Sequence, residues 1–256
     1  VIGADLRILL QLLRGRSRRG AHRDRLQAFY GPQARHYDAF RERLLHGRRE
    51  LVAGLRLHAG ARVVELGGGT GRNLLFFGER LAGFDRVELV DLCPALLERA
   101  RTRTASMGNV RVVDSDAVAY RPEEPVDCVY FSYSLSMIPD WRGAIDNALA
   151  MLRPGGLLGV VDFYVSEATP PPGATRHGAL TRLFWPRWFA HDGVRLNPRH
   201  LRRLQELLPD HVVRERSAPV PYLPAVRVPY YLLVGRKPGT GRLPELDLGS
   251  RITADA

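Results

Sequence analysis

The run Val63-Val64-Glu65-Leu66-Gly67-Gly68-Gly69-Thr70-Gly71 constrains this chain more than any other stretch. The residues up to Leu66 have the apolar, β-branched character of a buried strand, and the glycines after them supply a tight loop before a helix-forming segment. Asp91 lies twenty residues beyond Gly71, at the end of a second strand pattern. Together these make the unit that holds an adenosine-containing cofactor: glycine lets the backbone approach the ligand, and a carboxylate accepts from ribose hydroxyls.

The alternation continues downstream. The pattern predicts a strand over 62–66, a helix over 72–80, a strand over 86–91 and a helix from Pro94 to about Thr104. Strands at 110–113 and 126–131 follow, then a helix over 141–152 stopped by Pro154-Gly155-Gly156, and a strand at 157–162. Residues 22–58 read as helical, with breaks near Gly31-Pro32 and Gly47. Strands alternating with helices predict an α/β domain, a parallel sheet with helices on both faces.

Residues 163–197 interrupt this rhythm as an insert, with a loop at Pro170-Pro171-Pro172-Gly173 and an aromatic cluster at Leu183-Phe184-Trp185-Pro186-Arg187-Trp188-Phe189. A helix capped by Asn197 runs to about Leu208, and strands at 211–216 and 230–234 complete the set. The organisation expected is a basic segment 1–21, one domain over 22–237, and a loose Gly/Pro-punctuated tail over 238–256.

Composition removes several classes. Hydrophobic residues make up 45% of the 256, enough for a packed core. No apolar run approaches the roughly 20 residues of a spanning helix, and no secretory leader is read at the start. Cys93 and Cys128 are the only cysteines, which suits a reducing cytoplasm and two small buried residues. No His/Cys cluster has metal-ligand spacing, so no metal is expected.

The net charge of +11 comes from arginine almost alone, and residues 1–25 hold seven arginines against Asp5 and Asp24. Leu6, Leu9, Leu10 and Leu13 fall at helical spacing within that segment. Such a basic amphipathic stretch fits an anionic membrane surface, and it fits equally a helix packed on the domain or a terminal tail.

The glycine spacing separates two cofactor classes. A dinucleotide fingerprint needs a third glycine where this chain has Arg72. Gly67, Gly69 and Gly71 instead form G-x-G-x-G, which resembles motif I of class I S-adenosylmethionine-dependent methyltransferases. The resemblance implies a Rossmann-like seven-stranded sheet, S-adenosylmethionine as cofactor and S-adenosylhomocysteine as product. It implies that Asp91 holds the ribose, that Leu92 flanks the adenine, and that Asp116, followed by Ala117, meets the adenine amino group; a helix cap is the other reading of Asp116. Glu65 is expected to organise the loop indirectly. Ser132 and Tyr133 follow the fourth strand, where methyl donor and acceptor meet.

Ser132-Tyr133-Ser134-Leu135 lacks the Pro-Pro-aromatic run of methyltransferases that act on nucleic-acid amino groups, so no nucleic-acid partner is expected despite the basic charge. The pair Cys93-Pro94 follows the wrong strand to supply the nucleophile of a pyrimidine C5-methyltransferase.

A closer resemblance rests on Tyr37-Asp38 with Gly47-Arg48 upstream, on Phe184 to Val194, and on Ala218-Pro219-Val220-Pro221-Tyr222-Leu223-Pro224 with Val228-Pro229-Tyr230-Tyr231. Over residues 22–237 the chain resembles the betaine-lipid N-methyltransferases, the BtaB family. That resemblance implies N-methylation of the homoserine amine of diacylglyceryl-homoserine, three times, to a trimethylated betaine lipid. Tyr37 and Arg48 would then close over the cofactor's methionine end, Arg48 near its carboxylate; a solvated helix arginine is the alternative.

Tyr133, Trp185, Trp188, Tyr222, Tyr230 and Tyr231 are candidates to line the site of a quaternary ammonium, with core packing as the alternative for each. Tyr133, His191 and Asp192 are the candidate catalytic residues; His191 and Asp192 either relay the amine proton or form a surface turn. The resemblance also implies a peripheral position on the inner face of a membrane and an association with the enzyme that makes the headgroup lipid. Phosphatidylethanolamine and quinone or small-molecule acceptors are the alternative substrates on the same fold.

Overall fold

A computed structural model describes residues 21–31, 42–190, 193–221, 223–239 and 245–248. Its elements are α1 (His22–Tyr30), α2 (Arg48–Gly54), β1 (Arg62–Leu66), a 3-10 helical segment (Arg72–Gly83), β2 (Arg86–Asp91) and α3 (Pro94–Thr104). Then come β3 (Val110–Asp114), β4 (Val126–Ser132), a 3-10 turn (Leu135–Met137), α4 (Trp141–Met151) and β5 (Leu152–Phe163). The chain continues through α5 (Ala179–Ala190), α6 (Arg199–Leu207), β6 (Asp210–Val220) and β7 (Leu223–Arg236). The basic segment 1–20, Tyr37, His191, Asp192 and Tyr222 lie outside the described residues.

The seven strands form one sheet in the order β3-β2-β1-β4-β5-β7-β6. Strands β1 to β5 are parallel, as expected, because a helical segment crosses over between most consecutive strands. The expectation of a parallel sheet fails at one edge: β7 runs antiparallel to both β5 and β6. The link between Val220 and Leu223 is too short for a crossover, so those two strands must form a hairpin.

Central position explains composition. Every residue of β4, Val-Asp-Cys-Val-Tyr-Phe-Ser, is buried, as a strand covered on both faces requires. One face of the sheet packs under α2, the 3-10 segment, α3 and α5 through Leu51, Leu74, Leu97 and Trp185. The other packs under α4 and α6 through Ile145, Ala148, Leu201 and Leu204. This is the seven-stranded Rossmann-like α/β architecture with helices on both faces.

Three further boundaries differ from the expected ones. β5 begins at Leu152, which pairs with Val126, and a register shift absorbs Pro154-Gly155-Gly156. The aromatic cluster forms a helix, α5, with Pro186 inside it. Proline removes one backbone bond there, and burial of Trp185 and Phe189 offsets the loss. Residues 245–248, expected to be part of a loose tail, dock instead: Leu248 is buried against Gly54, and Arg56 pairs with Asp247 at 2.7 Å. Among the described residues no helix is long and apolar enough to cross a membrane.

His200 on α6 is 1% exposed and its ring lies 4.6 Å from that of Trp141. Burial, helped by nearby Arg142, depresses its pKa from the usual 6.5 to about 4. The folded chain keeps the ring neutral, while the unfolded chain takes up a proton below 6.5. Stability should therefore fall as pH drops through that window, by roughly 3 kcal/mol in full. Urea unfolding at pH 7 and at about pH 4.5 should show a smaller acid loss in His200→Phe than in the native chain, by roughly 2 kcal/mol. Equal losses in the two proteins would contradict the assignment.

Candidate active site

β1, β2 and β4 end at the same edge of the sheet, where the strand order reverses between β1 and β4. Ligands of open α/β sheets bind outside the carboxyl ends of the strands at such a reversal. Here the loops leaving those strands enclose a cleft with about 900 Å³ of unfilled space, part of it open to solvent.

The glycine loop forms its floor. The Gly67 and Gly68 N–H groups donate to the Val90 carbonyl at 2.8 and 3.1 Å, which pins the loop to β2. Gly67 has φ 74°, and a Cβ there would stand 2.4 Å from Ser134 Cβ. Ser134 is fixed in turn, since its hydroxyl donates to the Leu66 carbonyl at 2.6 Å. Gly71 does not line the cleft. A Cβ at Gly71 would meet Leu89 Cδ1 at 3.0 Å and Ala100 Cβ at 3.7 Å, so this glycine serves close packing against β2 and α3. Gly67 and Gly69 line the cleft.

Asp91 connects three segments. One carboxylate oxygen accepts from the Gly69 N–H at 2.8 Å and the other from the Cys93 N–H at 2.8 Å. Burial raises its pKa, and the backbone N–H groups of Cys93, Gly69 and Leu92 oppose that rise. An ionised carboxylate has about four acceptor sites, so those not taken by backbone N–H groups remain for hydroxyls in the cleft. Leu92, Asp116 and Ala117 line the same end. Asp116 accepts from the Val118 N–H at 2.9 Å in a turn and lines the cleft. Asn147 steadies this turn by donating to the carbonyls of Ala117 and Tyr120 at 2.7 and 3.0 Å.

At the opposite end a buried polar chain supports Arg48. The Arg48 guanidinium donates to the Leu45 carbonyl at 3.0 Å and to Asn73 Oδ1 at 3.2 Å. Asn73 donates to Glu65 at 2.6 Å, and Tyr130 donates to the other Glu65 oxygen at 2.9 Å. Glu65 is fully buried, which pushes its pKa up to about 7 against the bonds from Asn73 and Tyr130. Glu65 stands behind the loop, while Arg48 lines the cleft.

Ser132, the last residue of β4, and Tyr133 just after it both line the cleft. The buried Ser132 hydroxyl has no partner among the described residues. Tyr133 has φ 54°, a strained value for a residue with a side chain, of the kind that clusters at functional sites. Its hydroxyl donates to the His46 carbonyl at 2.6 Å and its ring lies 4.5 Å from that of Phe163. Burial drives the phenol pKa well above its ordinary value, so the Tyr133 hydroxyl keeps its proton.

Among the described residues, Trp185, Trp188, Tyr230 and Tyr231 are not part of the cleft lining. Trp185 is buried against Phe189, and Trp188 packs on Phe184. Tyr230 is buried beside the His46-Gly47 turn. Tyr231 faces the other side of the sheet, fully buried near Tyr164. Consecutive residues of a strand point to opposite faces, and both faces are covered here, so Tyr230 and Tyr231 pack into the core on opposite sides of the sheet.

Sequence reasoning missed the wall made by α1. His22, Leu26 and Tyr30 line the cleft at four-residue spacing, a stripe that helical periodicity can reveal. α1 is tied down by Arg23 to Asp114 at 2.6 and 2.5 Å, by Gln27 Oε1 accepting the Ala95 N–H at 3.0 Å, and by Tyr30 donating to Met137 Sδ at 3.1 Å.

A family model described as a methyltransferase domain matches residues 36–210. The ubiquinone/menaquinone biosynthesis C-methyltransferase UbiE of Marinomonas sp. is 27% identical over 151 residues, 56% of this chain and 60% of that protein. The chain thus spans about three-fifths of that relative's length. Among solved structures, the N-methyltransferase NodS of Bradyrhizobium japonicum in complex with S-adenosyl-l-homocysteine superposes with a TM-score of 0.59 at 20% identity, over 83% of this chain and 98% of that one. Phosphoethanolamine N-methyltransferase 2 of Haemonchus contortus, bound to phosphomonomethylethanolamine and S-adenosylhomocysteine, gives a TM-score of 0.64 at 14% identity, over 86% of this chain and 61% of that one. At these identities the likeness to the two structures is one of fold.

Gly67→Ala should abolish binding of an adenosine cofactor, because the added methyl cannot coexist with Ser134 where it stands. Calorimetric titration with S-adenosylhomocysteine should show at least about a hundredfold loss, with far-ultraviolet circular dichroism unchanged. Unaltered affinity would show that the loop does not form the binding floor.

Proposed function

This chain belongs to the methyltransferase-domain family, with the class I S-adenosylmethionine-dependent fold, and from that premise we propose that it N-methylates the amino group of a lipid headgroup, diacylglyceryl-homoserine, to a betaine. Bound S-adenosylmethionine supplies a methyl group on a sulfonium, open to in-line attack. The residues present suit such a group: Asp91 for ribose hydroxyls, Asp116 beside the adenine end, and the supported Arg48 for the methionine carboxylate.

The observation that carries the reading is the acceptor end of the cleft. Tyr133 is held there in a strained conformation, and its ring begins an aromatic layer that continues through Phe163 to Phe189. Methyl transfer to nitrogen needs alignment and a neutral amine, and it needs no covalent enzyme intermediate. Each transfer moves the acceptor toward a quaternary ammonium. An aromatic face favours such a cation by roughly 0.5–2 kcal/mol. Relay of the amine proton by His191 and Asp192 is part of the proposal, as are the closing of Tyr37 over the cofactor and a contact of Tyr222 with the acceptor. So are a peripheral position on the inner face of an anionic membrane and an association with the enzyme that makes the headgroup.

One observation favours a second reading. The curated relative from Marinomonas acts, by its name, on carbon in ubiquinone and menaquinone biosynthesis. A quinol ring would also suit an apolar acceptor end. Offering the purified protein labelled methyl donor with diacylglyceryl-homoserine, phosphatidylethanolamine or a demethylated quinol separates these. Label should enter diacylglyceryl-homoserine and accumulate as the trimethylated lipid. Label in the quinol or phosphatidylethanolamine alone would overturn the betaine-lipid reading.

A further inference from the structure

α5 is apolar on two opposite faces. Trp185 and Phe189 point into the core, 5% and 6% exposed, whereas Leu180, Leu183 and Phe184 are 82%, 53% and 47% exposed. Among the described residues only Leu75 joins those three as an exposed large hydrophobic side chain. Single exposed apolar residues are ordinary, but a cluster on one helical stripe marks a contact surface. A helix that is apolar all round is normally covered all round.

The charge around this stripe indicates what covers it. Residues 168–205 hold seven arginines and one acidic residue, Asp192. Arg187 falls on the exposed stripe seven residues after Leu180, and exposed Arg176 precedes the helix. Neither is in an ion pair with a described carboxylate: Arg187 bonds only the Leu183 carbonyl, at 3.1 Å. A nucleic-acid backbone would pair with the arginines but offers no medium for two leucines and a phenylalanine. An apolar protein face would take the leucines and leave the cations unpaired. An anionic bilayer offers an apolar layer under a layer of phosphates, which matches both features.

We propose that the exposed face of α5 docks on an anionic lipid bilayer, with Leu180, Leu183 and Phe184 entering the interface and Arg176 and Arg187 meeting headgroup phosphates. The long arginine stems let the cations stay at headgroup level while the leucines sit deeper. The docking face is joined to the cleft by ring contacts from Phe184 to Trp185 at 5.0 Å, Trp185 to Phe189 at 5.6 Å, Phe189 to Phe163 at 4.7 Å and Phe163 to Tyr133 at 4.5 Å. This rests on the peripheral membrane position proposed above and names the face that docks; vesicle binding is measured with no acceptor and no turnover, so the docking and the headgroup reading can fail separately.

The test is co-sedimentation of the full chain with phosphatidylcholine vesicles, with or without about a third of phosphatidylglycerol. The native chain should bind the anionic vesicles more tightly, with a blue shift of tryptophan emission from half-buried Trp188, which packs on Phe184. Replacing Leu180, Leu183 and Phe184 together by serine should weaken binding by about tenfold or more, and R176Q/R187Q should weaken it less and reduce its salt dependence. The native melting temperature and S-adenosylhomocysteine affinity should persist in both variants. Should the triple variant not fold, Leu180→Ser alone, at the most exposed position, should show the same direction. No vesicle binding by the native chain, or equal binding by the serine variants, would overturn the proposal. So would light scattering that shows the serine variant dissolving an oligomer, since a second copy would then be the cover.

Discussion

The carboxylate of Asp91 is the fixed point from which the site is built. It takes an N–H from the glycine loop and another from the start of α3, each at 2.8 Å. The parallel register that sets Leu66 against Val90 brings the loop within reach of that carboxylate. Gln27 then meets the first turn of α3, so the α1 wall hangs from the same corner. Losing the carboxylate would strand two backbone donors at roughly 1–3 kcal/mol each, apart from any contact with a ligand.

The parts legible in the sequence are those where local chemistry and position coincide. Gly67 announces a backbone that no side chain can share, and Asp91 ends a strand where a carboxylate is otherwise out of place. Arg48 carried weight only through the spacing Gly47-Arg48, yet the structure gives it a buried relay through Asn73 to Glu65. The illegible parts depend on tertiary partners. Trp185, Tyr230 and Tyr231 look alike as aromatic residues near a presumed acceptor. Only the sheet's faces decide that they fill the core. The antiparallel edge and the helical state of the aromatic cluster were hidden for the same reason: a two-residue link and a proline inside a packed helix are read correctly only once their neighbours are known.

The two ends of the cleft are held by different physics. The adenosine end is polar and backbone-rich, so it is preorganised by hydrogen bonds that cost no rearrangement when a ligand arrives. At the acceptor end aromatic rings line up behind Tyr133, and its hydroxyl is already committed to the His46 carbonyl. That division suits methyl transfer, a reaction in which positioning dominates.

The central claim is that Asp91 anchors an S-adenosyl cofactor at the end of β2. Calorimetric titration of S-adenosylhomocysteine into the native protein and Asp91→Asn tests it most directly, with melting temperatures measured alongside. The account predicts clear binding by the native chain and at least about a hundredfold weaker binding by a variant that remains folded, since an amide cannot accept from two hydroxyls and two backbone donors together. Equal affinity in the two proteins would contradict it.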